Sequence, residues 1–165
     1  MIIRLIHIAI AAAAMLAGLA SCSNDSCSDN GSSLPLATFY INGSHQSIPG
    51  LSIMGIGVPG DSLLADNKSI SEAYLPLRAN TTSTSYTLWR SFTSGDNTVT
   101  VRDTITFDYK AVPFFHSSEC GAMFNFDIET VTHTTHGIDS VVMLTTHVTN
   151  SRTPAMRIHF TNLQQ

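Results

Sequence analysis

Charge is scarce in this sequence. Only 12% of its residues are Asp, Glu, Lys or Arg, and 8 Lys and Arg stand against 12 Asp and Glu over 165 residues, a net charge of −4. No basic run and no basic–aromatic stripe occurs. The phosphate-neutralising surface that a nucleic-acid partner needs is therefore missing, and none is expected. Metal and nucleophile signatures are missing too. There is no Cys-x-x-Cys, no His-Glu-x-x-His, no Asp-x-Asp-x-Asp-Gly loop and no Gly-x-Ser-x-Gly elbow. Zinc-protease, EF-hand and α/β-hydrolase chemistry are left without their ligands or nucleophile. After the N-terminal segment no stretch carries a 3.6-residue apolar period, which excludes a helical domain.

What is present begins at the N-terminus. Arg4 precedes an apolar run from Leu5 to Leu19, interrupted by His7 and Gly18, and Leu19-Ala20-Ser21-Cys22 follows. A positive start, an apolar core and small residues before a cut site mark a secretory signal. The run is about fifteen residues, short of the about 20 that a spanning helix needs. Leu-Ala-Ser-Cys resembles the bacterial lipobox, in which a peptidase cuts before the cysteine and the thiolate accepts a diacylglycerol. The sequence thus divides into a signal peptide over 1–21, a tether over 22–33 lipidated at Cys22, and one domain over 34–165. The tether, Ser-Asn-Asp-Ser-Cys-Ser-Asp-Asn-Gly-Ser-Ser after Cys22, is small, polar and flexible in character. Its Asp25, Asp29 and Asn30 read as solvating residues. The mean hydropathy of +0.14 is inflated by the signal segment and does not indicate membrane embedding.

The domain reads as strands. Val99, Val101, Ile105, Phe107 and Tyr109 share one face of an alternating run, and Asp103 breaks that face. Phe124, Phe126 and Ile128 form a second run, and Met156, Ile158 and Phe160 a third. Weaker runs cover Leu36–Ile41, Leu51–Ile56, Ser71–Leu77, Ser83–Trp89 and Ser140–Val148, with Gly43, Pro49-Gly50, Pro59-Gly60, Gly95-Asp96-Asn97 and Gly137 between them. About eight strands with intervening turns predict an all-β, antiparallel β-sandwich of immunoglobulin-like type, with a small β-barrel as the alternative.

The order of several short motifs carries a resemblance. Cys22 with Cys27 is followed by Ala37-Thr38-Phe39-Tyr40, Leu51-Ser52-Ile53-Met54-Gly55-Ile56-Gly57 and Leu75-Pro76-Leu77, then by the Ser83–Trp89 run. Asp103-Thr104-Ile105-Thr106-Phe107-Asp108-Tyr109 and Glu119-Cys120-Gly121 complete the series. This layout resembles an uncharacterised family of small Bacteroidota lipoproteins, a domain of unknown function. The resemblance implies an envelope location and a β-fold, and no chemistry. In such bacteria surface display goes with acidic residues just after the lipidated cysteine. Here Ser23-Asn24-Asp25-Ser26 supplies one acid, which favours an outer-membrane protein facing the periplasm. Exported proteins there are often O-glycosylated at Asp-Ser/Thr before an apolar residue or Thr. Ser62, Thr104 and Ser140 match, with Ser62 the most exposed by position and Thr104 the least.

Candidate chemistry is thin. His133, His136 and His147 are the weak metal candidates, but residues three apart on a strand point to opposite faces, so surface histidines are the expectation. Cys120 with His116 is a poor nucleophile pair. Lipidation of Cys22 leaves Cys27 and Cys120 as an even pair in an oxidising compartment, where a disulfide is expected. Phe114, Phe115, Trp89, Phe92 and Tyr74 offer a ligand-stacking surface, although alternate aromatics on strands more often fill a core; Trp89 lies on the face opposite Tyr86 and Leu88. The expectation is a membrane-anchored, non-enzymatic binding or structural protein with no cofactor, whose partners are the membrane and an envelope protein or glycan. The alternative is a loop-borne hydrolase or metal site.

Overall fold

The computed structural model describes residues 33–57, 63–117 and 121–163. The signal segment, Cys22, Cys27, Ser62 and Cys120 lie outside them, as does the side chain of His116. Among the described residues eleven strands form, in chain order: β1 (Leu36–Ile41), β2 (Ser44–His45), β3 (Ile48–Gly55), β4 (Leu63–Ile70), β5 (Glu72–Tyr74), β6 (Ser83–Ser94), β7 (Asn97–Ser117), β8 (Gly121–His133), β9 (Ile138–Met143), β10 (His147–Val148) and β11 (Pro154–Phe160).

The strands make two sheets stacked as a sandwich. One has five strands in the order β2-β1-β11-β9, with β5 also on β1; the other has six in the order β10-β8-β7-β6-β3-β4. No ladder among the described residues joins the two sheets, so the barrel alternative is not what forms. One pairing departs from an antiparallel plan: β1 lies parallel to β11, with Phe39 opposite Ile158. A parallel pair cannot be closed by a short hairpin, and this one joins the two ends of the domain.

Period-two alternation decides what is buried. Ile105, Phe107 and Tyr109 of β7, Tyr86 and Leu88 of β6, and Phe126 and Ile128 of β8 project from the six-stranded sheet into the core. Ala37 and Phe39 of β1 and Met156, Ile158 and Phe160 of β11 face them from the other sheet. Phe39 meets Phe160 edge-on at 5.6 Å, and Tyr109 meets Phe126 edge-on at 5.3 Å, the geometry that ring quadrupoles favour. The turn between β1 and β2 needs positive φ at both central positions, and Asn42 (50°) with Gly43 (76°) supplies it.

Hydrogen bonds to the loops set the two ends of the sandwich. At one end the buried Tyr109 hydroxyl accepts from Arg78 N–H at 3.0 Å and donates to Arg78 C=O at 2.8 Å, with Thr84 Oγ1 at 2.7 Å. Tyr86 donates from its hydroxyl to Pro76 C=O. Burial, aided by Tyr109 and opposed by Arg78, pushes the Tyr86 phenol well above its ordinary range. Two core tyrosines thus hold the segment between β5 and β6 against the sheet.

Candidate functional site

The opposite end is organised around the residue that breaks the apolar face of β7. Asp103 projects inward with its side chain only 4% exposed, and burying a charge there is costly unless donors surround it. They do. Oδ1 accepts from Thr134 Oγ1 at 2.7 Å and from His136 N–H at 2.8 Å, with the His136 ring Nδ1 at 3.2 Å. Oδ2 accepts from Gly137 N–H at 2.7 Å. Burial pushes the Asp103 carboxyl upward, but these hydrogen bonds outweigh it and hold the group below its ordinary value.

Arg90 belongs to the same end. On β6 it stands diagonal to Asp103 across the ladder, since Leu88 is the direct partner of Asp103 and Val101 that of Arg90. Its Nη2 donates to Thr161 C=O at 2.7 Å, and its guanidinium lies 5.2 Å from the Phe160 ring centre. Burial lowers its affinity for a proton, against the raising pull of Asp103 and Asp139.

The position of these contacts explains them. Residues 134–137 carry the chain from β8 in one sheet to β9 in the other, and Thr161 follows β11. Asp103 and Arg90 therefore fasten the six-stranded sheet to two segments of its partner. Gly137 must come close for this: a Cβ there would sit 2.7 Å from Val101 Cγ1 and 3.4 Å from Asp103 Oδ2. We expect Gly137→Ala to lose about 1–3 kcal/mol in urea unfolding, as overpacking does. Adding Val101→Ala should recover part of that loss. An unchanged single variant would show that the crossover relaxes freely.

As chemistry, the cluster is closed. The Asp103 oxygens are already engaged by four donors, and only about 10 Å³ of space lies between the side chains around it. Three donors converge on Oδ1 and one on Oδ2, so the carboxylate fastens the crossover to β7.

The histidines do not converge. His136 serves Asp103, the His147 ring pairs with Asp127 of β8, and half-buried His133 ends β8 opposite Ile105. Among the described residues no group of three or more His, Cys, Asp or Glu is placed to hold a metal. Thr104 is half-buried in mid-strand between Thr87 and the chain at Thr134, and Ser140 is half-buried on β9 opposite His159.

The five aromatics singled out in the sequence are not core residues, which corrects that expectation. Phe115 is 74% exposed and Tyr74 42% exposed, while Trp89, Phe92 and Phe114 are half-buried. The core takes Phe39, Tyr86, Phe107, Tyr109, Phe126 and Phe160 instead. Nor do the five form one patch. Trp89 stacks under Arg102 at 4.9 Å and Phe92 lines a groove of about 290 Å³ with Pro49 and Leu163, whereas Phe115 lies near the far end of β7. A surface stack that sequence reasoning missed lies on the five-stranded sheet. Tyr40 stacks with His159 at 5.1 Å and has the Arg157 guanidinium 5.5 Å from its ring centre. The alternation of β1 and β11 held the signal, but the parallel pairing that aligns Tyr40 with His159 is not readable locally. A wider open groove of about 580 Å³ separates residues 79–82 from Lys110–Pro113.

A family model for a family of unknown function (DUF6452) matches residues 50–160. The chain belongs to this family. Its matched span begins within β3 and ends with β11, so it takes in the Asp103–Arg90 fastening and both core tyrosines. No curated protein and no solved structure matches the chain.

Proposed function

We propose that the protein is a lipoprotein of the Bacteroidota cell envelope, cut before Cys22, lipidated there, and acting without catalysis as a binding or structural protein. The carrying observation is the Arg4, apolar run and Leu19-Ala20-Ser21-Cys22 series, placed eleven residues ahead of a packed β-domain. Length, charge, small residues and cysteine agree in that series, and an ordinary secretory signal has no need of the cysteine. The non-catalytic part is supported by the enclosed, hydrogen-bonded Asp103 carboxylate and by the separate partners of His136 and His147. Surfaces for a protein or glycan partner are available at the Tyr40–His159–Arg157 stack and at the groove beside Lys110.

The same reading gives the other cysteines and hydroxyls their roles. Cys27 and Cys120 form a disulfide that shortens the tether and holds the domain close to the bilayer. For a loop of about 90 residues the chain-entropy model gives about 4–5 kcal/mol as an upper figure. Ser62 is the preferred O-glycosylation site, ahead of Ser140 and Thr104, and the single acid after Cys22 favours an outer-membrane lipoprotein facing the periplasm. Growth of the native host with a clickable palmitate analogue tests the anchor. Label is expected on the wild type and none on Cys22→Ser, with the variant moving to the soluble fraction. An unlabelled wild type contradicts the anchor. Cross-linking in intact cells followed by purification tests the binding role, and turnover of a specific substrate by the purified protein would replace it with an enzymatic one.

A further inference from the structure

The β7–β8 hairpin outruns the rest of its sheet. β6 accompanies β7 only as far as the pairing of Ser83 with Asp108, whereas β7 and β8 stay paired out to Ser117 and Gly121. Beyond Asp108, β10 is the one described strand that pairs with the hairpin, at Phe126 and Asp127, and Thr82 C=O still accepts from Tyr109 N–H. Its last turns of strand are a two-stranded arm.

The arm carries the core face of the sheet out into solvent. Tyr109, Ala111, Pro113 and Phe115 alternate onto one face of β7, and Phe126, Phe124 and Ala122 are their cross-strand neighbours there. Burial fades along this row. Tyr109 and Phe126 are buried, Ala111 and Phe124 pack against the edge of the core, and Pro113, Ala122 and Phe115 are exposed. Exposed Val112 adds apolar surface on the other face. No charged side chain stands beyond Lys110 on the described part of β7, and Lys110 is paired with Glu129. An uncovered apolar row of this kind normally marks a contact surface.

The course of the chain says what covers it. Ser33 is fully buried and donates from its hydroxyl to Asn125 Oδ1 at 2.7 Å, so the domain receives its N-terminal tether on the arm itself. Asn125 is about four residues, or about 14 Å, from the hairpin end at about 3.4 Å per residue. The eleven peptide steps from Cys22 to Ser33 reach at most about 36–40 Å. A bilayer that holds a lipid on Cys22 is thus within reach of the arm at all times.

We infer that the exposed end of the β7–β8 arm, led by Phe115 with Val112 and Pro113, rests in the interfacial layer of the same membrane that the lipid on Cys22 occupies. This rests on the anchor reading above. The lipid already confines the domain, so the second contact is intramolecular, and even a weak one becomes occupied. Its effect is to fix which way the domain faces: β7 runs toward the membrane, and the Asp103 end becomes the distal end.

The test uses the lipidated full-length protein carrying Phe115→Trp, purified from its host and reconstituted in phosphatidylethanolamine–phosphatidylglycerol vesicles with or without acyl-chain bromine. Trp89, the single native tryptophan, pairs with Arg102 and lies about 40 Å from Phe115 along β7, so the wild type supplies the control. The expected result is additional blue-shifted emission in the variant that brominated lipid largely removes, with Trp89 emission unaffected in the wild type. Unshifted, unquenched emission from a variant that still floats with the vesicles would overturn the membrane contact and leave the anchor standing. Failure of the wild type to float would remove the anchor and the arm contact together. Blue-shifted emission that bromine does not quench, with copies cross-linked through the arm, would assign the surface to a second copy of this chain and overturn the proposal.

Discussion

Asp103→Ala is expected to cost about 3–5 kcal/mol of folding stability, a third or more of what a domain of this size has. The substitution removes the acceptor of the Thr134 hydroxyl and of two backbone N–H groups, those of His136 and Gly137. A buried donor left without a partner costs about 1–3 kcal/mol each. It also takes away the carboxylate that faces Arg90. Asp103→Asn keeps the shape but turns one acceptor into a donor, and about 2 kcal/mol is expected to be lost. Urea midpoints give both values; a loss under about 1 kcal/mol for Asp103→Ala would mean that water satisfies the crossover equally well. The pH dependence has a definite sign. The folded-state pKa of Asp103 is held below its ordinary value, so its contribution is complete above the unfolded carboxyl range near about 4 and disappears as pH falls through the folded value. Wild-type stability should fall with acid below about pH 4, and Asp103→Asn should lack that part of the fall.

Tyr109→Phe is expected to cost about 2–3 kcal/mol although it leaves the packing with Phe126 intact. The hydroxyl both accepts from and donates to the backbone of Arg78, and bonds to Thr84 Oγ1. Its removal leaves the Arg78 amide without its acceptor and the Arg78 carbonyl with only the long bond from Thr81 N–H at 3.5 Å. The local signature is faster amide exchange at Arg78 and its neighbours, ahead of global unfolding. A Tyr109→Phe protein with wild-type stability and wild-type exchange there would show that the segment is held by Tyr86 and Pro76 alone.

The two most fully buried faces were the parts legible in the sequence. Alternation marked Leu36–Ile41 with its true bounds and placed Ile105, Phe107, Tyr109, Ile158 and Phe160 inward. The strand Leu63–Ile70 was not legible, because only Ala65 within it is buried and an edge strand has little reason to alternate. The length of β7 was also hidden: among the described residues its outer part pairs with β8 alone, so its pattern continues without the burial that would explain it. Asp103 stood out as a misfit on an apolar face. Its partners lie 31 to 34 residues further on, and two of the bonds come from backbone, which no side-chain pattern records. The histidines drew attention as metal ligands, yet what matters at 134–137 is a hydroxyl, two amides and a glycine small enough to approach Val101.

The proposed anchor is the central claim, since the roles proposed for the arm and the tether depend on a membrane. Peptide-resolved mass analysis of the protein purified from its own envelope addresses it directly. The account predicts an N-terminus at Cys22 carrying the mass of a diacylglycerol, Cys27 joined to Cys120, and added glycan on the peptide containing Ser62. The anchor is contradicted by a mature N-terminus at any other residue, or by Cys22 recovered as a free thiol.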